Sequence, residues 1–160
     1  MDSIPRNKSA ALIVDASVMV AVCAREAGRF ERASTEMANH AQMGGLFFAP
    51  GVLFAEVLFA LCGKFSRGEL TTQQHARSVE ILVEYAATIL PPPHGDHALV
   101  ARAEQVRGGY GCSHSADGLY LALTEWLTRT AVAELITFDT GLQRQAAVTA
   151  PHLTIRLLTT

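Results

Sequence analysis

Residues 10–24 read AALIVDASVMVAVCA, in which a short apolar run ends at Asp15 and a longer apolar run follows it. Residues 11–15 have the length and composition of a buried strand. Ser17 can cap a helix that begins directly after that strand. The stretch therefore predicts a strand that passes straight into a helix, with an aspartate at the junction.

The same alternation of apolar runs and helical segments continues to the end of the chain. Further strands are predicted at residues 46–49, 88–90, 133–138 and 153–158. Further helices are predicted at residues 29–43, 52–65, from Thr71 onward, at 95–107 and from Ser115 onward. Strands that alternate with helices build a parallel sheet covered on both faces. The sequence thus predicts a single α/β domain over residues 1–160, a three-layer α/β/α sandwich with a central, mostly parallel sheet.

The apolar content is high for a chain of this size. Hydrophobic residues make up 49% of the 160 residues and charged residues 18%, which suggests that a partner covers part of the surface. The helix predicted at residues 52–65, VLFAEVLFALCGKF, is apolar on nearly every side. Helices of this kind are usually buried on most of their surface, so we expect this one to be buried on most sides.

The charge of the chain limits its modes of nucleic-acid binding. A net charge of −2 argues against a protein that coats nucleic acid, because phosphate binding favours a basic face. It does not exclude a nuclease, since cations held by acidic side chains supply positive charge to an anionic substrate. Arg25, Arg29 and Arg32 fit a solvated helix face and contacts to RNA phosphates equally well.

The cysteine pattern and the N-terminal stretch both predict a cytoplasmic protein. The three cysteines have no CxxC spacing, and we interpret them as reduced core residues. They are Cys23, Cys62 and Cys112. Arg6 and Lys8 before an apolar stretch resemble a secretory signal, but Asp15 within that stretch is costly to insert into a membrane. We therefore expect a folded segment and no association with a membrane.

Two aspartates directly follow predicted strands. Asp15 closes LIVD and Asp139 closes ITFD, and ligands of parallel sheets bind beyond the carboxyl ends of the strands. Ser17 and Thr137 place a hydroxyl two residues from each aspartate, where it could orient a carboxylate or carry a metal-bound water. Each aspartate taken alone is explained as well by a helix cap. The pair is more telling, because a doubly wound sheet can bring both ends to one crevice.

Glu56 is harder to explain without a site. It is the only charged residue in its apolar helix before Lys64. A buried carboxylate is costly unless it is paired or bound to a metal. The alternatives are a salt bridge to an arginine of a neighbouring element, or a place on a narrow exposed stripe. Asp117 lies in the first turn of its helix, where the helix dipole alone would favour an acid.

Gathered in one crevice, these acids would repel one another and raise each other's pKa values. Hard cations with oxygen ligands, such as Mg²⁺ or Mn²⁺, would relieve that repulsion. One or two such ions can activate a water and stabilise the leaving oxygen in phosphodiester cleavage. The acids therefore indicate a metal-dependent phosphodiesterase more than an enzyme with a nucleophilic side chain.

The motifs around these acids resemble a known family. They are VDASVMV at residues 14–20, APGVLFAEVLFAL at 49–61, SADGLYLAL at 115–123 and ITFDTGL at 136–142. In this order they resemble the PIN domain, and especially the VapC-type toxins of bacterial and archaeal toxin–antitoxin pairs. The resemblance extends over almost the whole chain, from about Leu12 to Leu142.

The resemblance implies an activity, a metal site and partners. The family cleaves RNA with Mg²⁺ or Mn²⁺, and VapC-type members are usually dimers inhibited by an antitoxin whose C-terminal segment wraps them. It implies that the metal-site acids are Asp15, Glu56, Asp117 and Asp139, with Ser17 and Thr137 as supporting hydroxyls. We therefore expect an endoribonuclease toxin that forms a homodimer, binds a cognate antitoxin and acts on RNA.

Two alternatives share the same motifs. A PIN nuclease of RNA processing, or one directed at DNA, would carry the same acids without a toxin role. A PIN-like binding module with weak or no catalysis would be expected to lack one or more of the acids, and all four are present. The chain departs from the family at Gly118, where Ala is common, and we expect a looser helix start there. Thr140 and Gly141 stand where some members carry a further acid or Asn, so a second metal ion would be weakly held.

Other residues with functional side chains have simpler interpretations. His94 and His97 flank Asp96 in a proline-rich loop, where we expect a solvated turn that caps the next helix. His114 lies close to Asp117, and we interpret it as structural more readily than as a substrate contact. Tyr120 and Trp126 have helical spacing and are predicted to make core or dimer contacts.

Overall fold

The structure is a computed structural model and describes residues 10–112 and 115–160. Its centre is a five-stranded sheet with the order β3-β2-β1-β4-β5, in which every neighbouring pair is parallel. The strands are β1 Ala10–Val14, β2 Leu46–Phe48, β3 Ile89–Leu90, β4 Val132–Thr137 and β5 Ile155–Leu157. This confirms the predicted α/β sandwich, with a sheet that is parallel throughout.

Helices connect the strands and flank the sheet, as the alternating pattern predicts. They are α1 Ala16–Cys23, α2 Phe30–Gln42, α3 Val52–Ser66, α4 Thr72–Ala86, α5 Val100–Arg107, α6 Ser115–Leu127 and α7 Thr140–Thr149. A short 3-10 helix, Asp96–Leu99, precedes α5, so the helix predicted at residues 95–107 begins in a tighter form. The predicted capping box of Thr71 and Gln74 is present at the start of α4.

The strand order determines which chain segments meet at the candidate site. Strand β1 is the middle strand of the sheet, and its side chains are therefore almost entirely buried. The chain runs outward from β1 to β2 and β3, then returns to place β4 on the other side of β1. Val14 pairs with Ile136, and the Asp15 N–H donates to the Ile136 carbonyl at 3.2 Å. The carboxyl ends of β1 and β4 thus lie side by side at the switch in strand order, where parallel sheets bind ligands.

Two sequence-based expectations about caps and cysteines are wrong. The N-cap of α1 is Asp15, whose carboxylate accepts a hydrogen bond from the Ser17 N–H, because the strand already ends at Val14. Cys62 and Cys112 are exposed, and only Cys23 is a core residue. Burial raises the pKa of the Cys23 thiol to about 12, so this cysteine remains a neutral packing residue.

Helix α3 is less buried than its composition predicts. Only one face packs inward, through Leu53, Val57 and Leu61. Phe59 is 82% exposed and Leu58 is 45% exposed, because α3 contacts α1 and α4 along one side and presents the other to solvent. Apolar composition alone does not distinguish a core helix from one with an uncovered apolar face.

Gly118 has a packing role that the sequence did not reveal. A Cβ atom at this position would lie 2.6 Å from the Ala103 carbonyl oxygen of α5. The glycine therefore permits the close approach of α5 and α6, and it is buried in that contact. The expectation that Gly118 loosens the start of α6 is thus wrong, since the residue lies where the two helices are tightly packed.

The segment that resembles a secretory signal is part of the folded domain. Residues 10–23 form β1, the Asp15 junction and α1, whereas Arg6 and Lys8 lie outside the described residues. Among residues 10–112 and 115–160, no helix combines the length and apolarity needed to cross a bilayer.

Candidate functional site

Asp15 lies at the carboxyl end of β1 and is almost completely buried. Three donors converge on its Oδ2 atom: the Ser17 N–H at 3.1 Å, the Ser17 hydroxyl at 2.5 Å and the Thr137 hydroxyl at 2.8 Å. The predicted supporting hydroxyls therefore both orient the same carboxylate. Thr137 belongs to β4, so the contact also ties the ends of the two central strands together.

The two hydroxyls are themselves held by the backbone that follows β4. The Phe138 N–H donates to the Ser17 Oγ at 2.9 Å, and the Asp139 N–H donates to the Thr137 Oγ1 at 2.8 Å. Each hydroxyl thus accepts one hydrogen bond and donates another to Asp15. Since a relay of this kind fixes the hydroxyl rotor, the position of the Asp15 carboxylate is set by the register of β1 and β4.

Asp139 caps α7 and faces the same edge of the sheet. Its Oδ1 accepts from the Gly141 N–H at 2.6 Å and from the Leu142 N–H at 3.4 Å. The helix-cap alternative is therefore correct for Asp139, as it is for Asp15. Capping does not remove these aspartates from the site, because the charge of Asp139 still acts on Asp15 and raises its pKa.

Glu56 projects from α3 and is half-buried. Its Oε2 accepts a hydrogen bond of 2.6 Å from the hydroxyl of Tyr120, a fully buried residue of α6. The salt bridge to an arginine that sequence analysis left open is not formed within the described part of the chain. Tyr120 is a core residue, as predicted, but its hydroxyl contact was missed. A buried tyrosine usually finds a partner for its hydroxyl, and that was the available signal.

Asp117 lies in the first turn of α6, one turn before Tyr120, and is half-buried. The charges of this acid and of two others act on the Tyr120 hydroxyl. The pKa of the Tyr120 hydroxyl is raised by burial first, and then by the charges of Asp15, Glu56 and Asp117. The hydroxyl therefore stays protonated and can donate, and the charges of three of the four predicted acids act on it.

Burial governs the charge state of the two innermost acids. It raises the pKa of Asp15, against the lowering effect of the Ser17 and Thr137 hydrogen bonds, and the Asp139 charge raises it further. Burial also raises the pKa of Glu56, which the Tyr120 hydrogen bond opposes and the Asp15 charge reinforces. Both groups would ionise more readily beside a positive charge.

The carboxylate oxygens are divided between protein contacts and open positions. Asp15, Glu56 and Asp139 each use one oxygen for the hydrogen bonds given above. Their second oxygens accept no hydrogen bond from residues 10–112 or 115–160. Such hard, oriented and negatively charged oxygen atoms fit Mg²⁺ or Mn²⁺.

These oxygens do not form a closed metal cage. Within the described residues, no three acidic, histidine or cysteine side chains stand close enough together to enclose an ion. Mg²⁺ commonly keeps several of its waters and binds through one or two carboxylates together with substrate phosphate. The donor set therefore suits an open and partly hydrated ion.

The other candidate side chains, at the proline-rich loop and in α6, make contacts that involve none of the four acids. The His94 ring packs edge-on against Trp126, with ring centroids 5.3 Å apart. The Asp96 carboxylate accepts two contacts, of 2.8 and 3.0 Å, from the Gly51 N–H at the start of α3. Asp96 therefore anchors α3 instead of binding a metal with the histidines. The interpretation of His114 lies outside the described residues.

A groove adjoins the acids. It lies between α1 and one face of α3, has a volume of about 420 Å³, and is lined at one end by Ser17 and Glu56. We call it the α1–α3 groove. A pocket of similar volume near Arg25 and Arg77 touches none of the four acids.

Comparison with known proteins identifies the fold. No protein-family model and no curated protein sequence matches the chain. A chain of VapBC2 from Rickettsia felis, bound to a DNA fragment from the promoter, matches with a TM-score of 0.58 and 12% identity, over 92% of this chain and 98% of that one. FitAcB from Neisseria gonorrhoeae matches with a TM-score of 0.57 and 16% identity, over 90% and 95%.

A third structure, FitAB bound to an IR36 DNA fragment, matches with a TM-score of 0.57 and 17% identity, over 93% of this chain and 98% of that one. The coverage is nearly complete in all three cases, so the whole described domain shares one topology with them. At these low sequence identities, the similarity shows a shared backbone fold and nothing about individual side chains. The chain therefore has a PIN-like fold, with Asp15 and Asp139 at the carboxyl ends of the neighbouring strands β1 and β4.

Proposed function

We propose that this chain is an Mg²⁺- or Mn²⁺-dependent endoribonuclease that acts as the toxin of a toxin–antitoxin pair. The observation that carries the proposal is a set of neighbouring carboxylates. Asp15 and Asp139 both contact the Thr137 hydroxyl at the ends of β1 and β4, and the charges of Asp15, Glu56 and Asp117 all act on the Tyr120 hydroxyl. A set of oriented carboxylates without a neighbouring nucleophile fits metal-assisted phosphodiester hydrolysis. The PIN-like fold and the motifs of the sequence agree with that chemistry.

The chain's own residues would prepare the site for an ion and a phosphodiester. Asp15, Glu56, Asp117 and Asp139 would hold the metal, which supplies positive charge and an activated water when bound. Ser17 and Thr137 fix one oxygen of Asp15 and leave the other oxygen for a ligand. Tyr120 does the same for Glu56. Pre-oriented carboxylates lower the cost of organising the site when substrate arrives.

The toxin role is supported by the solved structures that share the fold and by an exposed apolar surface. The structural matches to VapBC2 and FitAB are consistent with the resemblance of the sequence to VapC-type toxins. The exposed apolar side of α3 gives a further reason to expect a protein partner, which we take to be an antitoxin, a second copy of the chain, or both. A cytoplasmic location follows from the same proposal.

The direct test is cleavage of purified RNA. Total RNA incubated with the protein and Mg²⁺ or Mn²⁺ should be cut at defined ends, which sequencing will locate, and a chelator should stop the reaction. Asp15→Asn should reduce the rate by more than about 100-fold, since losing a direct ligand should cost at least as much as losing a group that supports one. Glu80→Gln, which changes an exposed acid of α4, is the matched control. Full activity of Asp15→Asn would refute the assigned site.

Two further measurements separate the alternatives. Growth arrest on expression, relieved by Asp15→Asn and by a neighbouring small gene, would support the toxin role over an RNA-processing role. A binding module without catalysis would show no rise in melting temperature with Mn²⁺, whereas the proposed site should be stabilised by the ion.

A further inference from the structure

The α1–α3 groove is built from a regular stripe of one helix. Its α3 wall begins at Glu56 and ends at Arg67, and between them it recurs every three or four residues as the pairs Phe59–Ala60 and Gly63–Lys64. Residues at this spacing share one face of a helix. The eleven steps of helical rise from Glu56 to Arg67 make the wall about 16 Å long, so the groove continues well past the acids. Its opposite wall contains Ser17, the residue that holds Asp15.

The charge of the groove changes sign along its length. At the end away from the acids, Lys64 lies 2.8 Å from Glu26 and 3.3 Å from Glu69. Arg67 approaches Glu69 at 2.6 Å, and Arg29 lies 3.6 Å from Glu26. Three cations thus share two carboxylates, and one positive charge is in excess. Arg29 and Arg67 keep side-chain exposures of 43% and 62%, so both can reach a ligand in the groove.

Phe59 stands between the two ends of the groove. It follows Glu56 by three residues, which places it on the same face of α3, and 82% of the residue is exposed. An exposed phenylalanine beside carboxylates contributes little to folding. It does offer a flat apolar ring next to the acids, and unpaired nucleobases stack on such rings.

We propose that the α1–α3 groove binds a single-stranded stretch of RNA next to the cleaved bond, with a base stacked on Phe59 and a backbone phosphate at Arg29 and Arg67. This inference rests on the proposed nuclease function and adds a strand path to it. A base can reach the Phe59 ring only when it is unpaired, so the proposed occupant is a single strand and not a duplex.

A protein segment is the rival occupant, because a partner chain could also cover an exposed phenylalanine. Nucleic acid is favoured by two features of the groove. Its acid end continues into the carboxylates proposed to act on a phosphodiester, and its far end carries an excess cation that a more distant phosphate of the same strand could reach. The rival makes a different prediction, since removal of Phe59 would then alter oligomeric state or partner binding and not RNA affinity.

The test measures RNA binding separately from cleavage. A short fluorescent single-stranded RNA of mixed sequence is titrated with proteins that all carry Asp15→Asn, so that the strand stays intact. Phe59→Ala should weaken binding about 5- to 100-fold, as loss of one stacked base does, and Phe59→Trp should retain it. Met43→Ala, which changes a residue 75% exposed outside the groove, is the control for loss of exposed apolar surface. The same RNA in duplex form should bind more weakly and respond to neither variant.

The cation end is tested through the salt dependence of binding. Arg29→Gln and Arg67→Gln should each reduce the slope of log affinity against log salt concentration by about 0.7, the value for one phosphate contact on a single strand. Arg77→Gln, which removes an exposed cation of α4, should leave the slope unchanged. Thermal melting verifies that each variant is folded.

The outcomes distinguish this inference from the function on which it rests. If the wild-type chain cleaves RNA but Phe59→Ala binds the strand as tightly as its parent, the strand path is wrong and the nuclease stands. Unchanged salt slopes for both arginine variants would overturn it equally. If the wild-type chain cleaves nothing, the nuclease proposal fails, and the binding titration still tests whether the groove binds single-stranded RNA. A Phe59→Ala variant with normal RNA affinity and an altered mass by light scattering would assign the face to protein contacts.

Discussion

The Tyr120 hydroxyl donates a 2.6 Å hydrogen bond to Oε2 of Glu56, and this contact joins α6 to α3 beside the candidate site. Tyr120 is fully buried, so its hydroxyl would lack a water partner without Glu56. The bond also opposes the rise that burial imposes on the Glu56 pKa. A single contact thus holds the glutamate in position and favours the ionised form that a cation would require.

Removal of that hydroxyl should uncouple the two residues. Tyr120→Phe should lower the free energy of unfolding by about 1–3 kcal/mol, because a partly buried carboxylate loses its donor. In a double-mutant cycle with Glu56→Ala, the two effects should be non-additive by at least about 0.5 kcal/mol. Urea unfolding of the four metal-free proteins measures this coupling. Additive effects would show that the hydrogen bond contributes nothing to stability.

Loss of the Thr137 hydroxyl should destabilise the protein more than loss of the Ser17 hydroxyl, because Ser17 is only half-buried. Thr137 is fully buried, donates to Asp15 and accepts from the Asp139 N–H, so Thr137→Val leaves groups unsatisfied on both sides. We expect a loss of about 1–3 kcal/mol in unfolding free energy, together with weaker Mn²⁺-induced stabilisation in thermal melts. Thr137→Ser keeps the hydroxyl and should recover the Mn²⁺ response. A valine variant with an unchanged Mn²⁺ response would remove Thr137 from the site.

The sequence predicted the positions of Asp15 and Asp139 better than the contacts that hold their side chains. Asp15 and Asp139 directly follow apolar strands, so their place at the sheet edge follows from periodicity and from the rule for parallel sheets. The contacts of Thr137 and Tyr120 depend on the register of β1 against β4 and on the placement of α6 beside α3. Neither quantity is encoded in the local pattern of one segment.

Burial was the harder property to predict for the same reason. Helix α3 has the composition of a core helix, yet Phe59 is exposed, because its neighbours α1 and α4 cover only one side. The sequence likewise predicted a weak helix position at Gly118, because the local pattern of α6 does not show that Ala103 of α5 packs closely against it. Both errors concern contacts between segments, which a local pattern does not report.

Gly118→Ala should destabilise the protein although alanine favours helices. The helix propensity of alanine is worth about 1 kcal/mol over glycine. Against that gain, the new Cβ would lie 2.6 Å from a backbone oxygen of α5, which cannot move as a flexible side chain can. We expect a net loss of about 1–3 kcal/mol in urea unfolding, as for other overpacked sites. Gly109→Ala, where a Cβ would meet no atom within 4 Å, is the matched control. A more stable Gly118→Ala protein would mean that α5 and α6 are less tightly packed than described.

The ion pair of Arg102 with Glu125 should make part of the stability depend on pH. Arg102 approaches the two carboxylate oxygens at 2.6 and 2.8 Å and lowers the pKa of Glu125, with a smaller contribution from His152. A lowered pKa in the folded state means that the pair stabilises the protein above the ordinary value of 4.5 and loses this effect as the pH falls below it.

The corresponding variant should therefore be less stable than the parent above pH 4.5 and lose this difference at lower pH. Because Arg102 is 41% exposed, solvent weakens the pair, and Glu125→Gln should cost about 0.5–1 kcal/mol at neutral pH. That difference should disappear as the pH falls below 4.5 and through the lowered pKa of Glu125. Urea unfolding across this range measures it, with Glu80→Gln, an acid whose side chain is 64% exposed, as the control. A difference that persists unchanged at low pH would assign the effect to packing of the side chain and not to its charge, because protonation of Glu125 removes the ion pair in the parent as completely as the substitution does.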